Sequence, residues 1–365
     1  MTPDSGPRAP DSRPRRLRVA VLFGGRSGEH EVSLASAANV MAALDPAKYD
    51  VEPVGIDRAG KWLASAQAHA LLSERQPFEG HEPASVLATL GSGGTRPVDV
   101  VFPVLHGPYG EDGSLQGFLE IAGFPYVGCG VLASALAMDK VMSKRVFREQ
   151  GLPIADCTWF HARDWSAAKQ REVEQVCGYP CFVKPANLGS SVGVSKAHGA
   201  AELAPAVSTA ARFDTKIVVE RAVPQAREIE CSVLGNDQPR ASVPGEVVPS
   251  REFYDYAAKY IDGASELLIP APLEPALAAR IQATAIRAFQ ALDCSGMARV
   301  DFLLDRGTGE LFLNELNTIP GFTAISMYPK LWDASGLPPG QLVDRLVELA
   351  RERHQQRAQL STQSN

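Results

Sequence analysis

Arg299, Asp301, Glu315 and Asn317 are the residues of this 365-residue chain whose types and spacing most readily do chemistry. They lie in two runs of strand-favouring residues, 299–304 and 311–317, joined by the turn-rich segment Asp305-Arg306-Gly307-Thr308-Gly309-Glu310. That order reads as a β-hairpin. A turn centred on Thr308 places Asp301 opposite Glu315 and Arg299 opposite Asn317, and alternation along each strand puts all four on one face. Two carboxylates, an amide and a guanidinium make a poor core but a suitable site for hard cations and the phosphates they carry. The ordinary alternative is a sheet face solvated by water. The Pro320-Gly321 turn after Thr318-Ile319 favours chemistry, because it brings backbone N–H groups to a polar strand end, where catalytic groups tend to collect.

Lys184 is the second candidate. It stands on the strand-like run Tyr179-Pro180-Cys181-Phe182-Val183-Lys184-Pro185, ahead of the loop Asn187-Leu188-Gly189-Ser190-Ser191-Val192-Gly193-Val194. A P-loop has the opposite order, with lysine after the last glycine. A strand lysine can nevertheless hold the α/β-phosphates while a Gly/Ser loop closes its N–H groups over them. The plainer alternative is a flexible hairpin tip beside a surface lysine, and the apolar Phe182 and Val183 speak against it.

Other motifs are weaker. Gly128-Cys129-Gly130-Val131-Leu132-Ala133 matches G-x-G-x-x-A, but a dinucleotide site needs an acid about 20 residues on, at a strand end. The acid here is Glu149, in a helical stretch, so tight packing of a domain linker is the better account. Taken alone, Lys140 reads as an exposed helix lysine, and Glu220 and Glu228 as solvated strand acids. An acid after Val218-Val219 could instead accept from an adenine amino group or ribose hydroxyls. The aromatic run Phe253-Tyr254-Asp255-Tyr256-Ala257-Ala258-Lys259-Tyr260 reads either as a loop that folds onto a ligand or as one packed on its own sheet.

The elements that must position these groups follow from hydrophobic periodicity. Residues 17–23 form a buried-type strand ending in Gly24-Gly25-Arg26-Ser27-Gly28-Glu29, and a helix follows with Leu34, Ala37, Ala38, Met41 and Leu44 at helical spacing. Residues 51–56 and 98–105 are further strands, the second ending in His106-Gly107 before a helix around residues 116–120. Strand, Gly-rich loop and helix, repeated, predict an open parallel α/β domain whose ligands sit at the carboxyl ends of its strands. Glu29 and His106 lie at two such ends. The middle reads as a small α+β region leading into a larger sheet, and a long amphipathic helix with Leu277, Ile281, Ala285, Phe289 and Leu292 precedes the hairpin.

Length allows about two or three domains. The 45 % hydrophobic and 21 % charged content is that of a soluble globular chain, and the net charge of −6 points to neither a nucleic-acid nor an anionic-membrane partner. The six cysteines include no C-x-x-C pair, which predicts buried free thiols in a reducing cytosol. The histidines show no metal-ligand spacing. Residues 1–16 read as a disordered leader rather than an export signal, no run approaches a membrane span, and the chain is expected to fray from residue 354 to 365.

Several segments occur together and in order: Gly24-Gly25-x-Ser27-x-Glu29-x-Glu31-Val32-Ser33-Leu34, Leu105-His106-Gly107 with Gly110-Glu111-Asp112-Gly113, and Met138-Asp139-Lys140. Then come Val183-Lys184-Pro185 with Gly189-Ser190-Ser191-Val192-Gly193, the run Phe253 to Tyr260, and Glu315-Leu316-Asn317-Thr318-x-Pro320-Gly321-Phe322-Thr323. Over residues 17–352 the chain resembles the D-alanine–D-alanine ligase family of the ATP-grasp superfamily. The resemblance implies an α/β (α+β) fold: an N-terminal open parallel α/β domain at 17–128 followed by a two-domain ATP-grasp fold. The central domain would span 129–222 and the C-terminal one 223–353, with a lid loop at 246–262.

The resemblance also implies two Mg²⁺ ions, or Mn²⁺, on Asp301, Glu315 and Asn317. ATP would be held by Lys140, Lys184, Ser190, Ser191, Glu220, Arg221, Val223 (by its backbone), Glu228, Lys259, Phe302 and Asn314. The first D-alanine would be bound by Glu29 and His106, the second by Ser326 and Met327. Arg299 and the Gly321 N–H would stabilise an oxyanion, and Ser190, Glu29 and Tyr260 would latch the lid and exclude water. The implied product is D-alanyl-D-alanine for peptidoglycan precursors, made by a cytoplasmic homodimer. Arg221-Ala222 replaces the Lys and large aromatic of many relatives, and Ile325 stands where His is common. The alternatives are a D-alanine–D-lactate ligase, which Tyr260 disfavours, a catalytically inactive nucleotide-binding protein, and a dehydrogenase resting only on residues 128–133.

Overall fold

A computed structural model describes residues 15–63, 65–74, 98–249 and 266–361. The N-terminal unit runs β1 (Leu17–Gly24), α1 (His30–Ala43), β2 (Tyr49–Ile56), β3 (Trp62–Leu63), α2 (Ser65–Glu74), β4 (Val100–Pro103) and α3 (Ser114–Ile121). Its sheet has the order β3-β2-β1-β4, with β1 parallel to both β2 and β4 and β3 an antiparallel edge. Alternation along β1 decides its packing: Val19, Val21 and Phe23 join one core cluster, Ala20 and Leu22 another. The strand expected over 98–105 is shorter than its apolar run and ends at Pro103, which has no N–H to donate and is tolerated because β4 is an edge.

Two helices follow, α4 (Val131–Met138) and α5 (Lys140–Glu149). Gly130 caps α4, and Gly128, with φ of +99°, passes against Gly296, where a Cβ would lie 3.1 Å from the Gly128 nitrogen. The G-x-G-x-x-A stretch is therefore close linker packing, and Glu149 ends a helix. Although grouped by sequence with the central domain, this segment sends Cys129, Ala133, Ala137, Phe147 and Leu152 into the core of the larger, C-terminal sheet.

The central unit contains β5 (Cys157–His161), α6 (Ala167–Val176), β6 (Cys181–Pro185), β7 (Ser195–Ala197), α7 (Ala200–Ala210) and β8 (Lys216–Arg221), with an antiparallel sheet in the order β5-β8-β6-β7. The remaining elements are β9 (Ala226–Gly235), β10 (Arg240–Ala241), β11 (Gly245–Val248), β12 (Glu266–Leu268), α8 (Pro275–Ala291), β13 (Gly296–Asp305), β14 (Leu311–Asn317), α9 (Met327–Ala334) and α10 (Pro339–Ala358). Their antiparallel sheet is ordered β12-β11-β9-β13-β14, with β10 on β9. Ile281, Ala285, Ala288 and Phe289 of α8 cover it at helical spacing.

The chain closes on itself. Leu342, Val343, Leu346, Val347 and Leu349 of α10 complete the core beneath Val19, Val21 and Phe102. Fraying is expected from residue 354, but α10 continues to Ala358. Arg357 pairs with Glu120 at 2.5 Å and holds that last turn. Arg353 donates to the Gly128 carbonyl, to Ser295 Oγ (2.7 Å) and to the Tyr126 carbonyl (3.2 Å), and stacks over the Tyr126 ring at 4.3 Å. The six cysteines are free, and no described helix is long and apolar enough to cross a membrane.

Replacing Arg353 with Met strands two carbonyls and removes a cation from an aromatic face, so it is expected to cost about 3 kcal/mol of stability. Urea denaturation measures this, and a loss below about 0.5 kcal/mol, the size of an ordinary surface change, would deny Arg353 that role.

Candidate active site

The hairpin forms with the pairs Arg299↔Asn317 and Asp301↔Glu315. Near the turn the register is Leu304↔Leu311 and Phe302↔Leu313, one residue away from that needed by the polar pairs. A bulge at Asn314 absorbs the offset. Val300 and Leu316 are buried below, while Arg299, Asp301, Glu315 and Asn317 are half-buried on the other face. Arg299 grips Asp301 through Nε (2.7 Å) and Nη2 (2.6 Å), and its Nε lies 3.0 Å from Glu230 Oε2 on the neighbouring β9. The Asn317 side-chain oxygen accepts from the Ile319 N–H at 2.8 Å, which fixes the amide with its oxygen at the strand end. The donor set is two carboxylates and an amide oxygen on one face, which fits a hard divalent cation. Phe302 is packed in the core below this face.

Helix α5 ties that face to the central sheet. Its N-cap Asp139 accepts from the Val141 and Met142 N–H groups at 3.0 and 3.1 Å and pairs with Lys216, while the Lys140 N–H donates to the Ala186 carbonyl at 2.9 Å. Lys140 and Lys144, four apart, therefore project from one face. Lys140 Nζ donates to the Leu188 carbonyl and lies 3.6 Å from Glu315 Oε2. Lys144 Nζ lies 3.2 Å from Glu220 Oε1 and donates at 3.0 Å to the carbonyl of the bulged Asn314. Lys184 Nζ donates to Glu220 Oε2 at 2.8 Å. Glu220, expected on the plain alternative to be solvated, is 3 % exposed. Burial alone would raise its pKa, but Lys144 and Lys184 outweigh burial and lower it to about 2. Arg221 is on the opposite side of β8, where it pairs with Asp156 at 2.7 Å. Its side chain does not join the cluster.

The Gly/Ser loop reaches the N-terminal sheet. Ser190 and Ser191 both have positive φ, +51° and +58°, a left-handed geometry costly for residues with a side chain. There Ser190 Oγ donates to Glu29 Oε1. Glu29 also sits against Gly107, where a Cβ would come 3.1 Å from Oε2. His106 is buried, with Nδ1 3.0 Å from the Ile319 carbonyl and Nε2 3.1 Å from Ser36 Oγ. Those partners place a proton on Nδ1. Ser36 Oγ in turn accepts from the Phe322 N–H at 3.1 Å. A Cβ at Gly321 would lie 2.8 Å from Ser326 Oγ, so only glycine lets this turn approach the start of α9, where Ser326 is the cap and Met327 the first residue. Val223 follows β8 half-buried, and Glu228 shares the β9 face of Glu230. Lys259 and Tyr260, with most of the expected lid, lie outside the described residues.

Sequence reasoning gave no role to Lys144, Glu230, Ser36 or Glu111. Glu111 stood inside a quoted motif, and its carboxylate lies 3.6 Å from His106 Nδ1. Burial works to lower the His106 pKa, but Glu111 and Glu29 more than offset it and the net shift is upward. Glu111 is itself raised, first by burial and then by Glu29, against the pull of His106. Both groups bind protons more tightly folded than unfolded, so this pair's stabilisation is present at low pH and lost as pH rises through the folded values. Glu111→Gln leaves burial as the main influence on His106, so the fall in stability as pH rises past the ordinary histidine value of about 6.5 should flatten or reverse. Denaturant titrations at several pH values check this, and an unchanged slope would break the assignment.

The chain matches known families along most of its length. Residues 18–129 match the family model described as D-ala D-ala ligase N-terminus, and residues 146–348 that of the D-ala D-ala ligase C-terminus. A D-alanine–D-alanine ligase of Thermoanaerobacter sp. (strain X514) is 52 % identical over 356 residues, covering 94 % of this chain and 98 % of its own. That of Heliobacterium modesticaldum is 52 % identical over 357 residues, covering 94 % and 97 %. Among solved structures, the D-alanine-D-alanine ligase from Coxiella burnetii is similar with a TM-score of 0.80 at 38 % identity, covering 94 % of this chain and 96 % of that one. The VanG D-Ala:D-Ser ligase from Enterococcus faecalis is similar with a TM-score of 0.80 at 37 % identity, covering 92 % and 100 %. With both halves matched in order, and about half of its residues shared with the Thermoanaerobacter and Heliobacterium ligases across nearly the whole chain, the protein belongs to the D-alanine–D-alanine ligase family.

Proposed function

We propose that this chain joins two D-alanines into D-alanyl-D-alanine at the expense of ATP, supplying a peptidoglycan precursor. The observation that carries this reading is the hydrogen bond from Ser190 to Glu29. It joins the loop after the phosphate-side Lys184 to the strand end suited to an amino-acid ammonium.

In this reading ATP lies between the central and C-terminal units, which with the N-terminal domain make three. Lys140 and Lys184 bind its phosphates with the Ser190-Ser191 loop and Lys259. Glu220, Val223 and Glu228 hold adenine and ribose, with Arg221 contributing through its backbone and Phe302 and Asn314 forming the floor. Asp301, Glu315 and Asn317 would hold the divalent cation, in the finer reading two Mg²⁺ ions with Mn²⁺ as a substitute. Such a cation neutralises charge on the transferring phosphoryl group.

Glu29 anchors the first D-alanine by its ammonium, with His106 beside it. The D-alanine carboxylate attacks the γ-phosphate, giving an acyl phosphate and ADP. Ser326 and the Met327 N–H hold the second carboxylate, and the second amine attacks the acyl carbonyl. The C–N bond forms, the amine loses a proton and phosphate leaves with the C–O electrons. Arg299 and the Gly321 N–H receive the oxyanion of that step, and Tyr260 closes the site with Ser190 and Glu29. A cytoplasmic homodimer is part of this reading through the family resemblance, and light scattering tests the dimer.

Phosphate release from Mg-ATP should require D-alanine and fail with L-alanine, with the dipeptide seen by mass. No D-alanine-dependent release would overturn the reading, as would dominant ester formation when D-lactate competes near neutral pH. Arg299→Ala is expected to lower turnover by about 10²–10³, the usual effect of losing an oxyanion donor, with ATP binding nearly kept. Near-normal turnover would remove Arg299 from the mechanism.

A further inference from the structure

We propose that Lys144 is the permanent counter-ion of Glu220, the group that lets Lys184 leave Glu220 for the nucleotide phosphates without stranding a buried carboxylate. The inference rests on the phosphate-binding role given to Lys184 above, and it makes Lys144 a positioning residue rather than a catalytic one.

Each oxygen of Glu220 has its own cation. Oε2 accepts from Lys184 at 2.8 Å and Oε1 lies 3.2 Å from Lys144. The two lysines are held differently. Lys144 is 2 % exposed and donates at 3.0 Å to the Asn314 carbonyl, which the hairpin bulge has freed from regular pairing. It is buried between β8 and β14, with its Nζ already engaged by both. Lys184 is the more accessible of the two, with 13 % of its side chain exposed, on the strand that opens into the Gly/Ser loop.

A nucleotide that draws Lys184 to its phosphates takes away one of the two cations paired with Glu220. Leaving a 3 % exposed carboxylate with no partner is far costlier than keeping one good ion pair. With Lys144 in place, the exchange leaves Glu220 paired and its carboxylate still aimed. Without Lys144, Glu220 and the phosphates compete for a single lysine. The Asn314 contact adds a second consequence, since the next residue is Glu315: the lysine that steadies the adenine-side carboxylate also steadies β14, the strand that carries Glu315 and Asn317.

Calorimetric titration of MgATP into four proteins tests this: the unaltered chain, Lys144→Met, Lys144→Arg, and the double variant Lys144→Met/Glu220→Gln. Urea midpoints report folding. Lys144→Met is expected to bind MgATP about 10²-fold more weakly, the size of breaking one partner from a buried pair. The double variant, whose Gln still offers an acceptor but no charge, should regain at least about tenfold of that loss. Lys144→Arg keeps the charge and should bind more tightly than Lys144→Met. A purely structural lysine would show no rescue by neutralising Glu220. Binding by Lys144→Met within about threefold of the parent, well under 1 kcal/mol, or a double variant no tighter than the single, overturns the inference. If Lys144→Met does not fold, the double variant must fold and bind. If it also fails to fold, the need for Lys144 is independent of the Glu220 charge and the inference is wrong. An unaltered chain that does not bind MgATP overturns this inference and the proposed function together, whereas normal binding without a Lys144 effect overturns this inference alone.

Discussion

The carboxylate of Glu220, shut away from water between Lys144 and Lys184, is the interaction on which the arrangement of the site depends. A buried carboxylate demands cations, and its two cations come from different places. Lys184 comes from the central sheet beside it, and Lys144 from a helix whose apolar side packs into the C-terminal sheet. Satisfying one charge therefore fixes how two sheets with separate cores meet. The same helix sets Lys140 between the Gly/Ser loop and Glu315. Four residues of helical rise thus carry one stitch above another across the cleft.

The C-terminal sheet repeats the logic with opposite charge. Arg299 lies between Asp301 and Glu230. In this state Arg299 holds both oxygens of a carboxylate suited to a cation. The groups proposed for the two half-reactions are thus paired with each other. On the N-terminal side, His106 bonds to α1 through Ser36 and to the chain after β14 through Ile319, so the N-terminal unit is braced against the segment after the hairpin by a buried polar network rather than by apolar contact alone.

Much of this was legible in the sequence. The repeated order of strand, Gly-rich loop and helix gave the parallel N-terminal sheet, and strand alternation gave the polar face of the hairpin, because both patterns are local. The facing of Asp301 and Glu315 came out as expected, but through two offsets that cancel: the turn lies half a residue nearer the N-terminus than Thr308, and the bulge at Asn314 restores the register. Nothing local to the sequence announces that bulge. Its freed carbonyl has its use only once Lys144 of a distant helix reaches it. The end of α10 was also beyond local reading, since its polar last turn is held by Glu120, 237 residues away in the chain.

By itself the sequence determined which groups this protein has for chemistry and the order in which strands and Gly-rich loops present them, because residue type, turn propensity and periodicity act within a few residues. Only the tertiary structure decided which charges are buried and which are paired. Glu220 and Lys144 read as ordinary polar positions on their own elements, and Arg221 is indistinguishable from its neighbour until β8 buries one side and exposes the other. Burial and ion pairing depend on what the rest of the chain places alongside, and the partners here lie from 36 to 170 residues apart.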